Sequence, residues 1–255
     1  MPDTRAPAVR LGAWLIMPEP LVVEAAGRAG FDWVGIDLQH GTWDINLAFR
    51  GIQLLDALGV PALVRVSELE LPLIPRVLDH GASGVVIAMA SSVELVQQAV
   101  SMARYAPEGT RSYGGQRYGM RPEPADVADV RPEILPMLED ARGVAAAAEI
   151  AAIPGVTGLH IGPVDLGLGM GLGMDRSHLR VQSAFDDIRD AAHAAGLPVA
   201  MHAVRPEDAA VWIERGFDEL VFTADIEVLR RGFADQVAAG RGTVAPRIGT
   251  YGTSA

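Results

Sequence analysis

A small set of side chains in this sequence could act together on one reaction: Glu139, Asp165, Arg65 and His40, with Asp37 three residues before the histidine. Acidic oxygens with no histidine or thiolate partner suit a hard cation such as Mg2+ or Mn2+, and do not suit a structural zinc. Such an ion keeps coordination positions open for water and substrate. A 2-oxo acid fills two of them with its carboxylate and keto oxygens. The enolate formed when a proton or a carbon leaves the adjacent carbon is then stabilised by the ion, and an arginine nearby adds charge stabilisation. A histidine set by an aspartate can supply the base or relay the proton.

Each of these residues also has a purely structural reading. Acidic residues that follow strands often cap the next helix by accepting free backbone N–H groups. That reading competes for Glu139 and Asp165 and is favoured for Asp140 and Asp225. His202 reads as a packed or solvated ring, and His160 as a hydrogen-bonded core residue within a strand. His80, His178 and His193 look helical or exposed and receive no role. Arg65 is harder to explain structurally, because a guanidinium pointing into a narrow, partly dry mouth requires an anion there.

The elements that must position these residues are written in the hydrophobic pattern. Short apolar, β-branched runs predict strands at Leu11–Ile16, Trp33–Asp37, Ala62–Arg65, Gly84–Ala88, Ile134–Leu138, Gly158–Ile161, Pro198–Met201 and Leu220–Phe222. Helix-period stretches predict helices at Leu21–Ala29, Asn46–Leu58, Leu73–His80, Val93–Met102, Ala141–Ile153, Val181–Ala195, Pro206–Arg215 and Ile226–Ala239. Glycine recurs where a helix stops before a strand, as in Ala29–Phe31, Leu58–Val60, His80–Ala82 and Ala195–Leu197. Eight strands each followed by a helix predict an α/β fold of the (β/α)8 TIM-barrel class, one domain over residues 1–239 with a tail over 240–255. A doubly wound open sheet is the fallback. In such barrels the site forms at the C-terminal ends of the strands, where Asp37, Arg65, Glu139, Asp165, His202 and Asp225 all fall. One connection, Tyr105 to Pro132, is long and rich in glycine, proline and arginine; it reads as a lid, a subunit contact or a solvated connector. Arg117 within it is expected to border the pocket for a second substrate.

Composition narrows the classes. The 255 residues carry a net charge of -11, which argues against nucleic acid as a partner. There is no cysteine, which removes disulfides, thiolate metal sites and thiol nucleophiles. All 21 basic residues are arginine, so Schiff-base chemistry on a lysine is closed. The first ten residues hold no apolar run long enough for a signal peptide or membrane span, so a soluble, cytoplasmic protein is expected.

Several stretches carry a family resemblance: "GFDWVGIDLQHG" (Gly30–Gly41), "VRV" (Val64–Val66), "VLDHGA" (Val77–Ala82), "PEGTRSYGGQRYG" (Pro107–Gly119) and "GVTGLHIGPVDLG" (Gly155–Gly167). In this order and over most of the chain they resemble the HpcH/HpaI family of metal-dependent, class II pyruvate aldolases. The resemblance implies that Glu139 and Asp165 bind the divalent ion (Mg2+, Mn2+ or Co2+). It implies that Arg65 contacts the keto oxygen and that His40 serves the acid–base step with Asp37 as its orienting partner. Gly162, Pro163 and Val164 match the turn whose backbone N–H groups receive the substrate carboxylate, and Trp14 a tryptophan at the mouth of the first strand. It also implies a homo-oligomer, commonly a hexamer that exchanges its last helix. Gln39, Ala88, Gly167 and Tyr118 depart from the commoner residues, which bears on the second substrate and leaves the metal ligands, Arg65 and His40 in place.

The reading that follows is reversible aldol addition or cleavage between pyruvate or hydroxypyruvate and an aldehyde. The alternatives are 2-oxo-acid decarboxylation or acyl-CoA lyase action on the same barrel, and a barrel that binds a small acid without catalysis. A phosphosugar isomerase would need a glycine-rich cradle after strands seven and eight, and Met201–Asp208 and Phe222–Val228 lack glycine.

Overall fold

The computed structural model describes residues 9–114, 117, 120 and 130–244. Eight parallel strands close into a barrel in chain order: β1 (Arg10–Leu15), β2 (Trp33–Asp37), β3 (Ala62–Val66), β4 (Gly84–Ile87), β5 (Glu133–Leu138), β6 (Leu159–Ile161), β7 (Val199–Val204) and β8 (Glu219–Ala224). Around it run α1 (Pro20–Arg28), α2 (Ile45–Ala57), α3 (Ile74–Asp79), α4 (Val93–Ala103), α5 (Ala141–Ala145), α6 (Ala147–Ala151), α7 (Pro163–Gly169), α8 (Leu179–Ala194), α9 (Ala209–Glu214) and α10 (Asp225–Arg241). The main core lies between barrel and helices, where outward strand residues such as Val34, Ile36, Val64 and Ile161 meet Ile52, Leu55, Phe185 and Ile188.

The barrel interior is a separate cluster of Trp14, Trp33, Leu63, Val86, Leu135, Met137 and Val221. Two tryptophans fit there because each faces a glycine on the neighbouring strand. In the β1–β2 register Gly12 pairs with Trp33 and Trp14 with Gly35. A Cβ on Gly12 would lie 2.6 Å from the Trp33 ring, and one on Gly35 would overlap Trp14. Below them an ion cluster plugs the N-terminal end. Arg10 reaches Glu219 at 2.7 Å and Glu133 at 3.0 Å, and the Trp33 indole N–H donates to Glu219 at 3.1 Å.

The closed barrel and all eight strands agree with the sequence expectation to within a few residues at each end. The helices differ more. Ala141–Ile153, expected as one helix, divides at Ala146 into α5 and α6. The third and ninth helices are each preceded by a 3-10 turn, Glu68–Leu73 and Pro206–Asp208, because proline falls near the helix start. α7 was not expected, being seven residues with three glycine or proline positions. α10 continues to Arg241 and is closed by left-handed Gly242, so the helix runs past the expected tail boundary; residues 245–255 lie outside the described set.

Candidate active site

The C-terminal mouth of the barrel holds a cavity of about 340 Å3. Trp14, Asp37, His40, Arg65, Glu139, Gly162, Pro163, Val164 and Asp165 all line it. The nine residues to which the family resemblance gave a role therefore reach one space.

Asp37 and Arg65 are register partners on β2 and β3, and both are buried. The carboxylate accepts from Arg65 through both oxygens, at 2.9 Å from Nε and 2.6 Å from Nη2. It also accepts the Trp14 indole N–H at 3.3 Å and the main-chain N–H groups of Gln39 and His40 at 3.0 and 3.1 Å. Burial alone pushes Asp37 up, but the Arg65 bonds and charge, with the His40 N–H, hold it below the usual carboxylate range. Two expectations are corrected here. The anion that buried Arg65 requires is Asp37 of its own chain, so its charge does not by itself demand an anionic substrate. Asp37 fixes His40 through the backbone and makes no bond to the imidazole, which stands exposed at the cavity rim. The Arg65 guanidinium also lies 5.2 Å from the Trp14 ring centroid, within cation–π range.

Glu139 directly follows β5 and is 3% exposed, with one carboxylate oxygen accepting the Met89 N–H at 2.7 Å. Met89 holds the left-handed conformation at φ 51°, unusual for a side chain of this kind, so backbone strain accompanies this bond. Glu139 does not cap a helix; Asp140 does, accepting the Gly143 N–H at 2.7 Å. Burial pushes the Glu139 carboxyl up to about 7, against the pull of Met89 and Arg65 and with the repulsion of Asp165 and Asp37. Asp165 stands half-buried in the first turn of α7. The packing is tight: a Cβ on Gly162 would collide with the Glu139 Oε1 atom.

A carboxylate this buried, facing a second one and bonded to a single main-chain N–H, is short of positive charge, since Arg65 is engaged by Asp37. A divalent cation on Glu139 and Asp165 would supply that charge, and their oxygens are the hard donors Mg2+ or Mn2+ prefers. Among the described residues no group of three or more His, Cys, Asp or Glu is arranged to hold a metal. The protein would thus give two side chains and leave the other positions to water and substrate, as Mg2+ sites commonly do.

The turn before α7 needs a further correction. Pro163 has no N–H, and the Gly162 N–H is donated to the Leu138 carbonyl at 3.4 Å. Of Gly162, Pro163 and Val164, only Val164 can offer a main-chain N–H to a carboxylate; Asp165, the next residue, offers another, because a helix leaves its first N–H groups without intrahelical partners. Asp225 opens α10 and ties it to β1, accepting from Ile16, Met17 and Ile226 at 2.9–3.1 Å; its role is structural, but as a tie to β1 and not as the expected cap, since the N-cap of α10 is Ala224. Arg117 does not border the cavity. It bonds Asp56 and donates to the His80 carbonyl at 2.6 Å, beside the α3–β4 turn on the opposite face of the barrel. Tyr118, one of the departures from the family pattern, lies outside the described residues. Sequence reasoning put His202 at the mouth but gave it no role, and it missed Ile16, Ala203, Ala224, Ile226 and Glu227, which also line the cavity. Their positions at the ends of β1, β7 and β8 were a usable signal, but the apolar chemistry of four of the five gave none.

The profile of the HpcH/HpaI aldolase/citrate lyase family matches residues 10–224. The 2-dehydro-3,6-dideoxy-6-sulfogluconate aldolase of Pseudomonas putida is 29% identical over 240 residues, covering 92% of this chain and 94% of its own. The hydroxypyruvate/pyruvate aldolase of Delftia acidovorans is 30% identical over 250 residues, covering 94% and 93%. Among solved structures, an HpcH/HpaI aldolase/citrate lyase family protein from Burkholderia cenocepacia superposes with a TM-score of 0.85 at 27% identity, over 92% of this chain and 96% of that one. With a matching profile over most of its length, aldolases among its relatives and a closed eight-stranded barrel, the chain belongs to the HpcH/HpaI aldolase/citrate lyase family of carbon–carbon lyases.

Proposed function

We propose that this lyase is a class II aldolase joining pyruvate or hydroxypyruvate to an aldehyde, and cleaving the resulting 4-hydroxy-2-oxo acid, at the mouth of its barrel. The observation that carries the reading is the convergence, in one cavity, of buried Arg65, the carboxylates Glu139 and Asp165, and the rim histidine His40. Family members are generally dependent on a divalent metal. Glu139 and Asp165 would hold it, and when bound it supplies Lewis-acid stabilisation of negative charge on the 2-oxo oxygen.

The protein's own groups do the rest. Arg65, fixed by two bonds to Asp37, is pre-organised to donate to the oxygen on which enolate charge develops, so little reorganisation is needed as the charge forms. Val164 and Asp165 offer main-chain N–H groups to the substrate carboxylate. His40, whose backbone Asp37 holds, moves a proton to or from the aldol hydroxyl as the carbon–carbon bond breaks or forms. Trp14 closes the inner wall against water. A homo-oligomer is part of the same reading, supported by the exposed apolar stripe Leu229, Phe233 and Val237 along α10.

The test is product formation from pyruvate or hydroxypyruvate with a panel of short aldehydes, followed by NMR. The reading expects 4-hydroxy-2-oxo acids with Mg2+ or Mn2+ added, none with excess EDTA, and recovery on restoring the metal. The second reading, lyase action on an acyl thioester, is favoured by the citrate lyase part of the family description. Turnover of a citryl- or malyl-type thioester with no aldol product would establish it instead.

A further inference from the structure

Two histidines beneath the cavity take no part in the steps above. His160 on β6 is fully buried, and its Nε2 lies 3.2 Å from Nδ1 of His202 on β7. The other nitrogen of His160, Nδ1, is buried with no hydrogen-bond partner among the described residues. A proton there would be an orphaned buried N–H, which folded proteins avoid more strictly than an unused lone pair. The proton of neutral His160 therefore sits on Nε2 and is donated to His202 Nδ1. Neutral His202 must then carry its own proton on Nε2. That nitrogen bonds no described residue, and the ring lines the cavity. Burial, with the nearby charge of Arg65, pushes His160 down to about 3, and burial likewise pushes His202 well below 6.5, so both rings are neutral at physiological pH.

The local backbone is shaped to place this donor. The β7–β8 register shifts between Met201 and Val204, and Ala203 sits in the left-handed region at φ 52°. Consecutive residues of a regular strand face opposite sides, yet His202 and Ala203 both line the cavity, which is what a bulge achieves. Arg176 donates to the Ala203 carbonyl at 3.0 Å and holds the bulge, while the His202 ring stands edge-on to Trp14 with centroids 4.6 Å apart. A ring so fixed, with its tautomer set from behind, is a directed and uncharged donor.

We propose that His202 offers its Nε2–H to a hydroxyl oxygen of the substrate, making this site selective for hydroxylated substrates over their deoxy counterparts. The inference rests on the aldolase reading. The hydroxyl belongs either to the 2-oxo acid, as in hydroxypyruvate, or to the aldehyde, as in glycolaldehyde. A neutral donor suits either, since Arg65 already serves the position where charge develops.

The experiment compares kcat/KM on the Mg2+-loaded enzyme for two pairs: hydroxypyruvate against pyruvate with one aldehyde, and glycolaldehyde against acetaldehyde with pyruvate. Ratios within a pair cancel any general loss of activity. In one pair the hydroxylated member should be preferred by about tenfold, the worth of one such hydrogen bond. His202→Leu should abolish that preference, and His202→Gln, which keeps an N–H near the Nε2 position, should restore most of it. The pair that responds identifies which substrate bears the hydroxyl; unchanged ratios in both pairs overturn the proposal. Histidine-selective 15N NMR of the same enzyme gives a reading that needs no turnover. Both rings should be neutral and protonated on Nε2, and a proton on Nδ1 of His202 would overturn the proposal. If wild-type enzyme forms no aldol product with any pair, the aldolase reading fails on its own terms, and the tautomer still decides whether the donor exists.

Discussion

A single carboxylate, Asp37, joins three functional residues: it holds Arg65 with both oxygens, takes the Trp14 indole N–H and anchors the His40 backbone. Asp37→Asn would leave the Arg65 charge buried without its counter-ion, and is predicted to destabilise the fold by roughly 3 kcal/mol, measured by chemical denaturation. The pH dependence has a definite sign. Asp37 is held below its ordinary value of 3.8, so its contribution is full above about that pH and is lost as pH falls through the lower folded value. The stability gap between wild type and Asp37→Asn should therefore be constant near neutrality and close in acid; a gap that widened in acid would contradict this role. Much of this was legible in the sequence, because residue type and position after a strand select the acids, the arginine and the histidine. What was not legible was pairing. Nothing in the chain says that Arg65 spends its charge on Asp37, that Gly162 has given its N–H to Leu138, or that His160 and His202 meet, since each contact depends on strand register or a bulge.

At the level of elements, glycine placement sets the site as much as the charged residues do. Gly162 lets the β6–α7 turn pass against the Glu139 carboxylate. Gly162→Ala should displace that carboxylate and lower kcat/KM by about 100-fold with the far-UV circular dichroism spectrum unchanged, since small misplacements of catalytic groups cost that much. Wild-type activity in this variant would show that the close approach has no catalytic consequence. Ala203→Gly should relieve the left-handed strain at φ 52° and stabilise the protein by about 1 kcal/mol in denaturation, at the expense of a less rigid His202. Strands were read well because apolar, β-branched runs buried on both faces have few other uses. Helix boundaries were read less well. The split at Ala146 falls in an alanine-rich stretch with no breaker, and α7 hides behind glycines and a proline that read as loop.

For the whole molecule, the alternation of eight strands with helices sufficed to predict closure, and the barrel closes in chain order. Among the described residues no helix is long and apolar enough to cross a membrane. The outer surface carries one feature that a single chain leaves unexplained. Leu229, Phe233 and Val237 repeat every four residues along α10 and are all exposed, with Phe233 at 63%. Covered in an oligomer, they would cease to be a liability. Phe233→Glu is predicted to reduce the assembly size in sedimentation velocity while leaving the monomer folded; an unchanged sedimentation coefficient would remove α10 from the interface. Arg117 was misplaced because sequence distance from the strand ends cannot tell which face of the barrel a side chain reaches.

The most direct test of the enolate chemistry is exchange of the pyruvate methyl protons in D2O, followed by 1H NMR without any aldehyde. Exchange should require Mg2+, Mn2+ or Co2+, stop with excess EDTA, and fall by at least about 100-fold in both Glu139→Ala and Arg65→Ala. Exchange that persists in EDTA, or that survives in either variant, would contradict an enolate held by these residues.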